Sequence, residues 1–295
     1  MSTYSIILVL VSAFAHSSWN FLVKRSENSD YFVIGLSLFS LVTSIGISFL
    51  LGVVGNIDSR AWPYIISTVV FHGIYFVLLG KAYRYSDLSS AYPIARGIGL
   101  AGIPILAGIF TDDIVSVQGF FGILLIFIGV MLVSAFDKVS IKGFFSFSDV
   151  FKKNTSRGLI FSIATGLVIS TYSLIDSIAV SLMNPFLYMN FVFGGGVFSV
   201  IFLIWSKEYN LPDLKVAMYS GWKSLFLGGI CSFFAYILIL HAYTLSQVSY
   251  VGVFREIGIV FGVLLGYVVL KEKIRIIKIL GIASILIGSV IISLS

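Results

Sequence analysis

Ten apolar segments, each long enough to cross a lipid bilayer, dominate this chain of 295 residues. A helix needs roughly 20 mostly apolar residues to cross a hydrocarbon core about 30 Å thick. The chain is 58% hydrophobic and only 11% charged, whereas a soluble domain has about 25% charged residues. The segments therefore predict an all-α integral membrane protein with transmembrane helices at residues 3–23, 31–54, 63–80, 88–110, 115–136, 158–182, 185–205, 222–243, 248–270 and 274–293.

The basic residues alternate sharply between the predicted connections. Of the 19 lysines and arginines, 16 lie in or beside the connections that follow odd-numbered spans, and only Arg60 lies in one of the other connections. Cytoplasmic connections carry the excess of positive charge in membrane proteins. We therefore expect a multi-pass protein of a bacterial-type inner (plasma) membrane with both termini outside. The positive charge is expected to set topology in the lipid bilayer and not to bind nucleic acid.

The two halves of the chain repeat each other. At a spacing of 160 residues, and of 159 residues further along, polar residues and glycines of the first half recur in the second half. The matches are Ala82, Tyr83, Ser86, Ser89, Arg96, Gly99, Gly122 and Gly129 with Ala242, Tyr243, Ser246, Ser249, Arg255, Gly258, Gly281 and Gly288.

Each copy holds five spans, which is an odd number, so the second copy enters the membrane from the opposite side. The halves are then related by a pseudo-two-fold axis in the membrane plane, an arrangement typical of transporters. We place the first repeat at residues 1–136, a cytoplasmic linker at residues 137–157 and the second repeat at residues 158–295.

Two segments at equivalent places in the halves carry recognisable motifs. The first runs from Asp87 to Gly97 (DLSSAYPIARG), and the second from Val251 to Glu256 (VGVFRE), followed by Glu272 and Gly281. With these motifs the chain resembles the drug/metabolite transporter superfamily, specifically proteins with paired EamA-type domains. The resemblance covers essentially the whole chain. It implies two inverted five-helix repeats around a central cavity lined by spans 1, 3, 4, 6, 8 and 9, with alternating access between the halves.

Four charged residues lie inside the predicted spans, namely Arg96, Arg255, Glu256 and Asp176. Charged side chains within a bilayer usually face protein or a water-filled cavity. Arg96 and Arg255 lie about eight residues from opposite membrane faces, or about 12 Å deep at 1.5 Å per residue. The two guanidinium groups are candidates to clamp a carboxylate or phosphate. The alternative is that each arginine ties helices together.

The two carboxylates also have alternative roles. Glu256 either meets Arg96 across the interface between the halves, contacts the substrate, or carries a coupling proton, because burial disfavours the charged form of a carboxyl group. Asp176 lies near the predicted outer end of span 6. It either contacts the substrate or is solvated there.

Polar and aromatic residues of span 1 form a second group of candidate substrate contacts. Ser12, His16 and Asn20 repeat every four residues, with Trp19 beside them, and such a stripe usually faces the bundle interior. Trp19 and Tyr172 match at a spacing of 153 residues. Each half therefore supplies an aromatic ring that can stack on a ligand or attract a cation.

Three residues of spans 3 and 4 complete the candidates. Tyr75 shares a helix face with His72, and Tyr92 lies within the first motif; both tyrosines are candidate substrate contacts. Pro93 removes a helical hydrogen bond and permits a kink beside Arg96, which would suit a gate.

Together these features predict a secondary transporter of a small polar metabolite, such as an amino-acid-like or carboxylate-bearing solute, with export the favoured direction. The sequence has no ATP-binding P-loop motif, so a proton or other ion gradient, exchange or the solute gradient would drive transport. The alternatives are a transporter of an amine or quaternary-ammonium compound, since 16% of the residues are aromatic, and a non-transporting membrane sensor or assembly protein. An enzyme signature such as HExxH does not occur, and no cofactor or metal is expected.

Overall fold

The computed structural model describes residues 1–26, 29–53, 57–85, 88–135, 156–205, 211–271 and 274–295, and these residues form helices and connections without strands. Short 3₁₀ turns precede α3 (Ser59–Ala61) and join α10 to α11 (Arg255–Ile257). The helices are α1 (Thr3–Arg25), α2 (Ser29–Leu50), α3 (Trp62–Tyr85), α4 (Leu88–Phe110), α5 (Val117–Ala135), α6 (Ser156–Leu182), α7 (Pro185–Trp205), α8 (Leu211–Ser220), α9 (Trp222–Tyr243), α10 (Val248–Phe254), α11 (Gly258–Leu270) and α12 (Ile276–Ser293).

The predicted spans correspond to these helices. Within the described residues, eight helical stretches are long and apolar enough to cross a membrane, and one of them, Val248–Val269, combines α10 and α11. Two shorter apolar helices, Ile94–Phe110 and Val117–Val133, coincide with predicted spans 4 and 5. The all-α membrane fold is therefore confirmed. Large apolar side chains such as Phe49 and Leu50 are 81% and 83% exposed in the protein alone, as expected of surfaces that face lipid.

Local sequence signals define the helix starts. Ser2 caps α1, because its side chain accepts a hydrogen bond from the Ser5 N–H at 3.1 Å. Pro185 begins α7, and the side chain of Asn184 accepts from the Phe186 N–H at 2.9 Å. Proline suits the first helical position, since the N–H that it lacks would have no helical partner there.

Equivalent hydrogen bonds connect the two halves. Ser17 Oγ on α1 donates to the carbonyl oxygen of Gly258 at 2.5 Å. Ser170 Oγ on α6, 153 residues after Ser17, donates to the carbonyl oxygen of Gly99 at 3.2 Å. Gly99 and Gly258 are themselves matching positions of the repeat. Each serine therefore makes the same contact with the opposite half, as two-fold symmetry requires.

Glycines bring α5 and α12 into close contact. A Cβ atom on Gly129 would lie 2.7 Å from the Gly281 carbonyl oxygen, and one on Gly122 would lie 3.0 Å from the Gly288 carbonyl oxygen. Gly122 matches Gly281 in the repeat, and Gly129 matches Gly288. Gly129 thus contacts the counterpart of Gly122, and Gly122 contacts the counterpart of Gly129. The contact is therefore self-complementary.

The pseudo-two-fold axis passes through the middle of this contact. Ser284 Oγ donates to the carbonyl oxygen of Leu125 at 2.7 Å, and these two positions match each other at a spacing of 159 residues. A position that contacts its own counterpart lies on the symmetry axis. The spans thus form two related copies, as the sequence predicted.

Span 9 differs from the continuous helix predicted at residues 248–270. α10 ends at Phe254, a 3₁₀ turn covers Arg255–Ile257, and α11 begins at Gly258. The matching arginine, Arg96, lies inside the unbroken helix α4. A 3₁₀ turn within a helix often marks a functional site, and this one holds the two charged residues of the span.

The predicted linker cannot be compared with the structure over most of its length. Residues 136–155 lie outside the described part of the chain, and residues 156 and 157 belong to α6. The boundaries at 136 and 158 therefore stay predictions.

Candidate functional site

A cavity between the helices contains about 600 Å³ of space free of protein atoms, part of it open to solvent. The cavity is lined by Ser12, His16, Trp19, Leu36, His72, Tyr75, Phe76, Arg96, Tyr172, Val192, Phe193, Ser232, Ala235, Tyr236, Ile239 and Arg255.

All six spans that the resemblance implied contribute to this lining. Spans 2 and 7, which the resemblance did not imply, add Leu36 from α2 and Val192 and Phe193 from α7. These three side chains are buried and apolar. Spans 2 and 7 therefore supply an apolar wall, whereas the polar groups come from the six expected spans.

Among the predicted substrate contacts, the cavity brings six together: His16, Trp19, Tyr75, Arg96, Tyr172 and Arg255. Asn20 is not among the lining residues, and its Nδ2 donates to the His16 carbonyl oxygen of its own helix at 2.8 Å. The side chains of Tyr92 and Pro93 lie outside the described part of the chain, although α4 runs through both positions. Their predicted roles as substrate contact and gate stay predictions.

Arg96 forms an ion pair across the two halves. Its Nη1 lies 3.2 Å from Glu256 Oε1, and the two side chains are only 10% and 3% exposed. Its Nη2 lies 3.1 Å from Nε2 of His16. Of the alternatives considered for Glu256, the structure places it beside Arg96, and this pair has the helix-tying arrangement considered for the arginines.

Arg255 has a different environment although it matches Arg96 in the repeat. Among the described residues no carboxylate lies within 4 Å of its guanidinium nitrogens, and its buried Nε has no hydrogen-bond partner. Tyr172, Tyr243 and, more weakly, Glu256 interact favourably with its charge. The first-half position that matches Glu256 is Gly97. The counter-ion that symmetry would place beside Arg255 is therefore missing.

Asp176 lies behind the cavity wall and is completely buried. Its Oδ1 accepts hydrogen bonds from Thr68 Oγ1 at 2.8 Å and from the Tyr188 hydroxyl at 2.7 Å, and its Oδ2 accepts one from the Tyr236 hydroxyl. His72 Nε2 lies 3.7 Å from Oδ2. Of the two alternatives for Asp176, solvation at a helix end is therefore wrong, because three hydroxyl groups take the place of water. Asp176 is not among the residues that line the cavity, and its predicted contact with the substrate stays a prediction.

This cluster offers too few ligands for a metal. Across the described residues no group of three His, Cys, Asp or Glu side chains is arranged to hold a metal ion. The arrangement of His72 and Asp176 instead suits proton binding, which needs only a basic nitrogen that takes up the proton and an acceptor that faces it.

Aromatic rings surround the polar part of the cavity. Tyr172 packs over His72 with ring centroids 4.3 Å apart and an interplanar angle of 34°. Tyr75 meets Tyr172 edge to face at 5.5 Å and 75°. Trp19 Nε1 donates to His16 Nδ1 at 3.2 Å. These rings can stack on the apolar part of a ligand whose charged part faces an arginine.

The sequence analysis missed part of the lining. Tyr236 and Ser232 of α9 line the cavity but were not predicted. They are four residues apart, which is the same spacing that identified the polar stripe of span 1. His72 was noted only because it shares a face with Tyr75.

Comparisons with known proteins match both halves of the chain. Residues 156–294 match the EamA-like transporter family, and residues 42–126 match the family described as Small Multidrug Resistance protein. A relative from Sinorhizobium fredii (strain NBRC 101917 / NGR234), named "Uncharacterized protein y4nH", is 30% identical over 80 residues, which are 27% of this chain and 68% of that protein. A solved structure described only as "Crystal structure of protein" has a TM-score of 0.76 and 13% identity, and covers 100% of this chain and 98% of its own chain. At that identity the likeness concerns the fold alone.

Proposed function

Because this chain belongs to the drug/metabolite transporter superfamily, we propose that it is a secondary transporter that moves a small carboxylate-bearing solute, such as an amino acid, by alternating access. It is a multi-pass membrane protein from a group of transporters. The substrate class is inferred from the cavity. The single observation that carries it is that Arg255 lines the cavity without a carboxylate partner among the described residues.

Arg255 offers a buried positive charge to the cavity. Its side chain is 4% exposed and lines the cavity, and no described carboxylate is close enough to pair with it. A buried charge without a partner costs several kcal/mol. A ligand carboxylate would remove this penalty, because it can accept two parallel hydrogen bonds from one guanidinium group.

Arg96 has a different role in this proposal. Its charge is already balanced by Glu256, so it contributes little net attraction to an anion. The pair connects α4 of the first half to the 3₁₀ turn of the second half. We infer that it holds the halves together in this conformation and breaks or changes partner when they move.

A transporter of amines or quaternary-ammonium compounds is the second candidate. The aromatic lining favours it, since aromatic faces attract cations. The guanidinium of Arg255 in the same cavity opposes it by repulsion. Asp176 does not offset that repulsion as a free anion would, because its oxygens already accept three hydroxyl hydrogen bonds.

Localisation and direction remain as the sequence predicted them. We propose a bacterial-type inner membrane with both termini outside, on the charge asymmetry of the connections. Export is the proposed direction. It is tested by loading inside-out and right-side-out vesicles with the same labelled solute and comparing the rates of release.

The substrate class is tested in proteoliposomes containing the purified full-length chain. Uptake of a ¹⁴C-labelled mixture of the 20 common amino acids is compared with uptake of ¹⁴C-choline. We expect uptake of amino acids and none of choline. Arg255→Ala should reduce amino-acid uptake at least about tenfold, because a hydrogen bond to a charged group contributes roughly 1.5–3 kcal/mol.

Arg60→Ala provides the matched control, since Arg60 is a surface arginine with 76% of its side chain exposed. This variant should transport like the wild type. Choline uptake that Arg255→Ala increases would favour the second candidate. Absence of uptake for every solute tested, in protein that remains folded, would favour a sensor or assembly role.

A further inference from the structure

His72 and Asp176 lie beside the cavity as a buried pair with an unused proton-binding position. His72 Nε2 is 3.7 Å from Asp176 Oδ2, and this nitrogen is buried without a hydrogen-bond partner. His72 lines the cavity. A proton arriving on this nitrogen therefore changes the charge of the cavity wall directly.

The hydrogen bonds of Thr68 determine which nitrogen of His72 carries the hydrogen in the neutral ring. Thr68 Oγ1 donates its hydrogen to Asp176 Oδ1 at 2.8 Å. His72 Nδ1 lies 3.0 Å from the Thr68 hydroxyl oxygen and 3.1 Å from the Thr68 carbonyl oxygen. Because the hydroxyl hydrogen is already used, both of these oxygens can only accept a hydrogen bond from Nδ1. Nδ1 must therefore be the protonated nitrogen, and Nε2 is left with a lone pair that faces a carboxylate.

His16 shows the opposite pattern and serves as an internal comparison. Its Nε2 lies 3.1 Å from an Arg96 nitrogen and its Nδ1 accepts from Trp19 Nε1 at 3.2 Å. Arginine and tryptophan are donors only. Neutral His16 can accept from only one of these two donors, and an added proton would remove that acceptor, whereas a proton added to His72 would gain an acceptor.

The carboxylate of this pair has no counterpart at the matching position of the other half. Asp176 lies on α6, where the spacing of 153 residues that relates Ser17 to Ser170 matches it to Val23. Val23 is a buried apolar residue. The first half therefore forms the equivalent helix without a carboxylate at the matching position. The fold itself does not require Asp176.

We propose that His72 Nε2 and Asp176 Oδ2 form the binding site for the coupling proton of the transport cycle, an inference that rests on the proposed transport function. Glu256, the carrier considered from the sequence, is engaged with Arg96. Among the described residues, the charged and titratable groups around His72 are Asp176 and Tyr172 from α6, Tyr236 from α9 and Arg255 from the 3₁₀ turn, with Tyr75 on its own helix. Tyr188 from α7 contacts Asp176.

The sign of the coupling follows from the charges. A proton on His72 adds one positive charge to a cavity that already holds Arg255, which pairs with no described carboxylate. A bound carboxylate and a bound proton therefore stabilise each other. This mutual effect is reciprocal by linkage. An inward proton gradient would then favour uptake, and export would require a larger outward gradient of the solute itself.

Proton binding is tested without any substrate. The chain has three histidines, so ¹⁵N-histidine-labelled full-length protein in nanodiscs gives few imidazole signals, assigned with His72→Gln and His241→Gln. We expect His72 to carry hydrogen on Nδ1 at high pH and to gain a second proton on Nε2 as the pH falls. Asp176→Asn should shift that titration to lower pH by about one unit or more.

A His72 signal that does not titrate in wild-type protein would overturn the proposal, as would one that Asp176→Asn leaves unchanged. The wild-type titration decides even if the Asp176 variant does not fold. Uptake of the ¹⁴C-labelled amino-acid mixture provides the second measurement. It should rise as pH falls in the wild type and in His241→Gln, and lose this dependence in His72→Gln.

The two failures are distinguishable. No uptake at any pH together with a normal His72 titration would contradict the proposed transport function. Uptake that keeps its full pH dependence in His72→Gln would instead overturn the assignment of the coupling proton.

Discussion

Arg96 Nη1 lies 3.2 Å from Glu256 Oε1, so a buried ion pair joins the fourth span of the first half to the broken ninth span of the second half. The matching arginine, Arg255, has Gly97 where Arg96 has Glu256. Within the described residues, therefore, one of these two guanidinium groups is paired with a carboxylate and the other is not. This asymmetry separates a contact between the halves from a position that can receive a ligand.

Removal of one partner of the Arg96–Glu256 pair should destabilise the protein. Arg96→Ala and Glu256→Ala each leave a buried charge without its partner, which typically costs about 3–5 kcal/mol. The double variant Arg96→Met with Glu256→Leu should recover most of the loss. Thermal unfolding in detergent measures this, and equal melting temperatures for all these variants would contradict the pairing. Arg60→Ala, at the exposed pair with Asp58, should leave the melting temperature unchanged.

Replacement of a glycine at the α5–α12 contact should weaken the packing of the two halves. The Cβ of Gly129→Ala would lie 2.7 Å from the backbone oxygen of Gly281, so the helices must separate. We expect a lower melting temperature, with a loss of about 1–3 kcal/mol as for other overpacked positions. Gly46→Ala is the control, because nothing lies within 4 Å of its Cβ; a similar loss there would indicate a general effect of removing glycine.

The hydroxyl groups around Asp176 should contribute to stability. Thr68→Val preserves the shape of the side chain but removes the donor to Asp176 Oδ1, and a lost partner of a buried charged group costs about 1–3 kcal/mol or more. Thr43→Val is the matched control, since among the described residues Thr43 Oγ1 bonds only to Phe39 O of its own helix at 2.9 Å. In chemical or thermal unfolding, the stability of Thr68→Val should be clearly lower than that of Thr43→Val.

The predicted orientation can be measured with cysteine labelling, because Cys231 is the only cysteine of the chain. In a Cys231→Ser background, Ser2→Cys and Ser295→Cys should both react with a membrane-impermeant maleimide added to intact cells. Arg157→Cys, on the predicted cytoplasmic side, should react only after the membrane is opened. Labelling of Arg157→Cys but not of the termini in intact cells would show that the topology is the reverse of the predicted one.

The sequence by itself determined the membrane fold and its duplication. Long apolar runs leave a helix as the structure that satisfies its own backbone hydrogen bonds in lipid, so span positions follow from local composition. Repeated residues such as Arg96 and Arg255 identified the two copies, because equivalent positions keep the same side chain. The intramembrane charges were also identified, since a charge is costly in lipid.

Only the tertiary structure decided what each charged group does. Arg96 has a carboxylate partner and Arg255 has none among the described residues. This difference depends on which helices pack together, because spacing along one helix does not fix distances between helices. For the same reason the sequence left two alternatives for Asp176, a substrate contact or solvation, whereas hydroxyl groups from three other helices surround it. The position of the His72 proton likewise depends on Thr68 and Asp176 meeting across α3 and α6.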